Sequence, residues 1–576
     1  MQQLFPFLQW LPKYRKNWLL KDLVAGLTVG IILVPQAMAY AMIAGLPPVY
    51  GLYASLFPVL IYAFLGSSRQ LAIGPVAMDS LLVAAGLGTL AISGVENYIA
   101  MALFLAFFVG AIQFVLGLFR MGFLVNFISR PVISGFTTAA VLIIIFSQLK
   151  HLLGASIEKS NRFHEILGNA IQKLPETNLL DLAIGLVGIF LIFFLKKWNK
   201  KIPAILIVVV LGILSVYFLE LESYDVKIVG MIPTGLPNFQ IPAISLKNSI
   251  DVWPIALTLA LVGYLEATSI GKAIEEKNDE ENSNANQELI ALGASNMVGS
   301  FFQSFPVTAS FSRSAINNET GAKTTIASLF SVVVVLVTLL FLTPLFYYLP
   351  NAVLASIIMV SVYGLIDMVY PKSLWKYRKD EFLVFLITFL ITLFIGISEG
   401  ILVGVLISLL LMVYKSSKPH FAILGKIKDS DYYKNIERFE NEVEVREDLL
   451  IVRFDSQLYF GNKNYFKKQL FKYIDAKGNK LKGVILNAEA INYIDSSAAH
   501  MLIKVISEIR NRDIKFYIAG AIGPTRDIIF SSGIIDVLER NYLFVQTKET
   551  VDYFDHATAP SRLSERVAYQ NKTKSN

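Results

Sequence analysis

FQSFPVTASFSRSAINNETGAKT, residues 302–324, decides the fold: an extended stretch meets Pro306, and a short run of small and hydroxyl residues follows, carrying one arginine, Arg313. LAIGPVAMDSLL, residues 71–82, repeats the arrangement 231 positions earlier, with Pro75 before Val76 and Ala77 where the later segment has Pro306 before Val307 and Thr308. Proline suits the first helical position, where no backbone N–H is needed, so each segment is expected to open a short helix. Short, Pro- or Gly-interrupted apolar segments in corresponding halves of a chain point to inverted repeats around a site near the bilayer midplane. If both helices aim their N-termini at one point, free N–H groups and positive dipole ends create a place for an anion.

The rest of the chain supplies the membrane this implies. Its 576 residues are 55% hydrophobic and only 16% charged, too oily for a water-soluble enzyme of this length. The charge is uneven: residues from Lys418 onward hold 25 basic and 21 acidic side chains, leaving 26 and 23 for the 417 residues before them. Apolar stretches suited to about 30 Å of hydrocarbon fall near 22–41, 98–119, 131–149, 179–195, 202–219, 251–271, 324–343, 382–397 and 399–414. Stretches near 50–66, 75–92, 286–302, 306–317 and 350–368 are broken by Gly, Pro and Ser, which makes about 14 segments and puts both termini on one side.

Basic residues give the orientation. With a cytoplasmic N-terminus the inner loops hold 18 Lys and Arg, among them Lys196, Lys197, Lys200 and Lys201, against six outside: Lys150, Lys159, Arg162, Lys173, Lys227 and Lys247. That asymmetry is what the positive-inside rule expects. The N-terminus has no apolar core followed by a small-residue cleavage site, so no removable signal peptide is expected. A net charge of +7 spread over loops argues against nucleic acid as a partner. With no cysteine, five histidines and no nucleotide-binding glycine loop, neither an enzyme nor a metal or cofactor site is expected.

From Glu447 the pattern changes to strand-like LLIVRFDSQLYFG and GVILNA, a helix from Phe466 to Ile474, another after Asp495, then IKFYIAGA and a helix around Arg526 to Phe530. Strands alternating with helices predict a small cytoplasmic α/β domain. The expected division is a transmembrane domain over 1–417, the α/β domain over 418–556 and a polar tail over 557–576.

Few polar groups remain in the oily part, and these are the candidates for chemistry. Arg313 is flanked by Ser310, Ser312 and Ser314; a fixed charge at membrane depth beside hydroxyl donors complements a small oxyanion. Glu266 lies deep in an apolar span and is a candidate proton carrier, or else a permanent ion-pair partner, for example of Arg313. Asp79 is a second intramembrane acid. In the first span Pro35 is expected to break the helix, with Gln36 and Tyr40 one turn apart and free to face one cavity.

The motifs PQAMAYA (35–41), GLPPVYGLYASLFPVLIYAFLGSSRQLAIGP (45–75), IVGMIPTGLPNF (228–239), GYLEATSIGKAI (263–274) and residues 302–324, in this order, resemble those of the sulfate permease (SulP, solute carrier 26) anion transporters. The tail resembles a STAS domain through NYIDSSAAHML (492–502). The resemblance runs from about residue 10 to 554 and implies an α-helical membrane protein of two inverted seven-span repeats, with core and gate domains like those of uracil/xanthine permeases, plus the cytoplasmic STAS domain. It implies an anion pocket of Gln36, Tyr40, Val76, Ala77, Ser310, Phe311, Ser312 and Arg313, with Glu266 at the acid associated with cation coupling. Ile270 stands where sodium-coupled members offer a hydroxyl, which favours protons over sodium; Asp79 departs from the commoner residue at its position.

The function expected from residues and resemblance together is secondary active transport of a small inorganic oxyanion, sulfate before bicarbonate, by proton symport and an elevator-like step. Alternatives are a bicarbonate or dicarboxylate transporter and an uncoupled exchanger or channel. A bacterial cytoplasmic (inner) membrane, contact with lipid and a homodimer are expected with it. In the STAS segment Asp495, Ser496 and Ser497 resemble a phosphorylated regulatory loop at a helix N-terminus, although SSAA replaces the usual SSG or STG and simple N-capping explains the same residues.

Overall fold

A computed structural model describes residues 5–88, 90, 92, 94–123, 129–158, 160, 162–199, 202–242, 244–278, 284–440 and 442–556. The polar tail expected over 557–576, and Lys159, Lys200 and Lys201 among the topology signals, lie outside the described residues. The chain divides into two compact units, residues 1–408 and 409–576.

The first unit is helical because an apolar solvent leaves backbone N–H and C=O groups no partner except each other. Seven helices among the described residues are long and apolar enough to cross a membrane: 16–43, 95–118, 130–152, 179–198, 248–278, 326–346 and 399–417. Shorter helices fall where Gly, Pro and Ser interrupt the apolar pattern: Val49–Ala54, Phe57–Leu65, Ala77–Gly88, Phe311–Glu319 and Asn351–Tyr363; Ala204–Phe218, in the apolar stretch 202–219, is also shorter than a full span. Two more, Ala285–Ser300 and Lys379–Phe394, complete the set used below.

Two expectations about proline are corrected. The helix Lys16–Ile43 runs unbroken through Pro35. One missing N–H costs less than opening a full turn of backbone amid apolar neighbours, so the ring is absorbed. Nor do the paired prolines hold equivalent places. Pro75 follows strand β1 (Ile73–Gly74) and stands two residues before the helix Ala77–Gly88, whereas Pro306 precedes strand β2 (Thr308–Ala309) and the helix Phe311–Glu319 begins five residues later. The strands themselves, rather than the prolines, set the correspondence: β1 and β2 pair antiparallel, Ile73 with Ala309 and Gly74 with Thr308.

Glycines let the longest contacts close. A Cβ on Gly110 would sit 2.6 Å from the Met297 backbone nitrogen and 2.7 Å from the Gly293 carbonyl oxygen, and one on Gly293 would sit 2.5 Å from the Phe114 nitrogen. The helices Val95–Leu118 and Ala285–Ser300 therefore touch backbone to backbone, the small-residue contact of membrane helices. Gly110→Val is expected to cost about 1–3 kcal/mol through overpacking, read as a lowered thermal midpoint of the detergent-solubilised protein.

The second unit is an α/β sheet in the order β4-β3-β6-β7-β8-β9, using β3 (Phe421–Ile427), β4 (Tyr433–Asn435), β6 (Leu449–Phe454), β7 (Gly483–Asn487), β8 (Lys515–Ala519) and β9 (Leu543–Phe544), with β5 (Val443–Glu444) also paired to β3. The strands β6 to β9 run parallel, and β3 is antiparallel to β6. Alternation along β6 feeds two cores: Leu450, Val452 and Phe454 join one, Leu449 and Ile451 the other. The sequence pattern missed β3 to β5: β4 and β5 are only two or three residues long with few apolar positions, and β3, although apolar from Phe421 to Leu424, lies before Glu447, where the alternating pattern begins.

Candidate functional site

The site grows from the β1–β2 pair. Each strand is two residues long and each hands the chain to a short helix, so Ala77–Gly88 and Phe311–Glu319 start next to each other. The junction is pinned from several directions. The Ser310 N–H donates to the Ala72 carbonyl at 2.9 Å. The Ala72 N–H donates to the Ser314 hydroxyl at 2.8 Å, and Asn317 Nδ2 donates to the Gln70 carbonyl at 2.9 Å. Ser310 caps the second short helix through the Arg313 N–H at 3.5 Å.

Arg313 is 0% exposed. Its Nη2 donates to the Pro75 carbonyl at 2.9 Å and its Nη1 to Gln36 Oε1 at 3.5 Å, while Nε is buried with no hydrogen-bond partner. Tyr40, buried one turn along from Gln36, interacts electrostatically with the guanidinium. Gly74 makes this approach possible: its φ of +141° is one that L side chains rarely adopt, and a Cβ there would lie 3.3 Å from Arg313 Nη2. Thus Gln36, Tyr40 and Arg313 come together at the strand pair, and Ala77 and Ser310 are buried at the helix starts, with Val76 half-buried. Phe311 is 59% exposed and Ser312 is exposed with it, its hydroxyl 3.4 Å from that of Ser310.

The two acids form a second cluster. Asp79 is buried, with Oδ1 lacking a hydrogen-bond partner. A Cβ on Gly263 would lie 3.4 Å from Asp79 Oδ2 and 3.1 Å from Thr308 Oγ1. Glu266, half-buried and one turn beyond Gly263 on the same helix, interacts electrostatically with Asp79. The guanidinium donates to Gln36 and Pro75, not to a carboxylate, so the ion pair between Arg313 and Glu266 considered above is not made.

Sequence reasoning passed over several residues that hold this arrangement. Asn296 clasps the Val307 peptide from both sides: Oδ1 accepts its N–H at 2.8 Å, and Nδ2 donates to its carbonyl at 3.0 Å and to Gln113 Oε1 at 3.1 Å. Thr308 Oγ1 donates to the Gly263 carbonyl at 2.7 Å. Glu288 is buried and accepts four bonds, from Tyr62, both the N–H and hydroxyl of Ser67, and the Ser68 N–H. An Asn and a Glu inside an apolar helix were the available signal.

In the second unit Asp495 caps the helix Ser496–Arg510: Oδ1 accepts the Ala498 N–H at 2.7 Å and Oδ2 the Phe460 N–H at 2.8 Å. Ser496 is exposed and Ser497 half-buried at the first two helical positions.

A model of the sulfate permease family matches residues 19–388, and a STAS-domain model matches residues 440–552. The chain belongs to the sulfate permease family. Among its relatives, Sulfate transporter 4.1, chloroplastic, of Arabidopsis thaliana is 38% identical and aligns over 95% of this chain and 82% of its own. High affinity sulfate transporter 2 of Stylosanthes hamata is 32% identical over 97% and 87%. The murine Solute Carrier 26 family member A9 anion transporter in the inward-facing state superposes with TM-score 0.88 at 30% identity, covering 96% of this chain and 94% of that one. The transmembrane domain of the cyanobacterial bicarbonate transporter BicA shares the fold at TM-score 0.58 and 23% identity, over 69% and 98%. This sulfate permease family member is therefore a helical membrane protein with an anion-transporter fold and a C-terminal STAS region, and no enzyme.

Proposed function

We propose that the chain is a secondary active transporter that moves a small inorganic oxyanion, sulfate first, together with protons, by an elevator-like alternation of access. The observation that carries this reading is Arg313: one buried guanidinium whose Nε has no hydrogen-bond partner, held at the strand pair where two short helices start. Gln36, Tyr40, Val76, Ala77, Ser310, Phe311, Ser312 and Arg313 make up the proposed substrate site, with Phe311 and Ser312 at its open side. The relatives named as sulfate transporters support sulfate as the substrate.

Charge balance gives the coupling its sense. With Glu266 and Asp79 both ionised, the two carboxylates outnumber the guanidinium and a dianion is repelled; once protonated, they leave Arg313 as the net charge and the dianion is held. The transporter works as a homodimer in the lipid of a bacterial cytoplasmic (inner) membrane, with both termini cytoplasmic, and its STAS region serves regulation, with Ser496 and Ser497 its modifiable hydroxyls.

Purified protein in liposomes is expected to accumulate labelled sulfate when the outside is acidified, and Glu266→Gln to remove that response to acid. Competition by unlabelled bicarbonate, succinate and chloride ranks the alternative substrates. Large ohmic anion currents that ignore pH would instead establish an uncoupled conductor.

A further inference from the structure

The acids and the guanidinium are joined by one continuous line of contacts. Asp79 Oδ2 packs against Gly263, and Glu266 stands one turn further along the same helix. The Gly263 carbonyl accepts the Thr308 hydroxyl at 2.7 Å. Thr308 pairs with Gly74 across the two-residue strands, and Gly74 and the Pro75 carbonyl are the backbone against which Arg313 Nη2 rests. On the other side of Thr308 the peptide of Val307 is clamped by Asn296, itself braced by Gln113, whose Nε2 donates to the Ala260 carbonyl at 3.2 Å.

A displacement of the helix at Gly263 draws on the Thr308 hydroxyl. Asn296 holds the preceding residue, Val307, and the following ones lead through the pairing with Gly74 and the cap at Ser310 to Arg313.

We propose that Thr308 is a positioning residue that couples the charge state of the Asp79–Glu266 pair to the anion site, with Asn296 as its anchor. The inference rests on the proton-coupled reading above. Among the described residues, the charged group facing Glu266 is Asp79 on the first short helix. The packed helices Val95–Leu118 and Ala285–Ser300 bring neutral Gln113 and Asn296 to the clamp. Glu288 on the latter is turned to Tyr62, Ser67 and Ser68, and Arg313 comes from the second short helix.

The test compares two activities of the full chain in the same liposomes: sulfate counterflow without a pH gradient, and accumulation driven by outside acid. Thr308→Val keeps the side-chain shape and removes the donor. Counterflow KM is expected to stay within about threefold of wild type while driven accumulation falls about tenfold, the size of a typical coupling between sites, and the pH dependence of KM flattens. Thr308→Ser, which keeps the hydroxyl, is expected to restore both; Thr308→Ala reports the same quantities should valine prevent insertion. Parallel loss of counterflow and accumulation, without rescue by serine, would overturn the proposal in favour of a purely structural bond. So would a Val variant that accumulates like wild type. A wild-type protein indifferent to the acid gradient would instead remove proton coupling itself, and the link with it.

Discussion

Arg313→Ala is expected to lower sulfate uptake at least about 100-fold, because charge-assisted hydrogen bonds are worth about 1.5–3 kcal/mol each and the dianion loses both such bonds and the full positive charge that Arg313 places at the strand pair. Arg313→Lys is expected to recover a fraction of this: the ammonium supplies charge but cannot reach Gln36 and Pro75 while offering a third donor from a rigid fork. The protein should still fold. The guanidinium is buried without a carboxylate partner, so its removal also removes a desolvation cost. Radiolabelled uptake, with size-exclusion behaviour of the solubilised variant as the folding control, checks both halves. Uptake unchanged by the alanine variant would take Arg313 out of the transport site.

Glu288→Ala is expected to destabilise the transmembrane unit by on the order of 4 kcal/mol, since each buried donor left unpaired costs about 1–3 kcal/mol. Four donors converge on this carboxylate: the Tyr62 hydroxyl at 2.8 Å, the Ser67 N–H at 3.0 Å and hydroxyl at 2.6 Å, and the Ser68 N–H at 2.8 Å. They tie the helix Ala285–Ser300 to the turn that leads into β1, so the same change should loosen the strand that supports Arg313. Glu288→Gln is expected to fall between: an amide presents one oxygen and one NH2 group to a cluster made entirely of donors. Thermal unfolding of the purified protein measures the order, and a Glu288→Ala midpoint equal to wild type would show that the cluster re-forms around water.

Much of the architecture was legible because it follows from one-dimensional quantities. Span lengths, the interruptions at residues 50–66 and 306–317, and the change of pattern after Glu447 all reappear as helices, short helices and a sheet. Gln36, Tyr40 and Arg313 could be singled out because polar side chains at membrane depth are costly and therefore stand out singly. Pro35 and Pro306 misled for a related reason. A proline's local preference is stated by sequence, but whether it ends a helix depends on the groups packed around it, and at Pro35 the buried neighbours keep the helix whole.

The sequence by itself determined that the first part of the chain is a multi-span membrane unit, and the short roster of polar groups within its apolar stretches, because burial in hydrocarbon filters residues one at a time by transfer free energy. Which of those groups meet was decided only by the tertiary structure. Gln36 reaches Arg313 across 277 positions, Thr308 reaches Gly263 across 45, and Glu288 reaches Tyr62 across 226. Those meetings depend on backbone approaches such as Gly74 against Arg313 and on the register of two strands two residues long. Hydrogen bonds are directional and short, so partners so distant along the chain are chosen by packing, which no local pattern encodes.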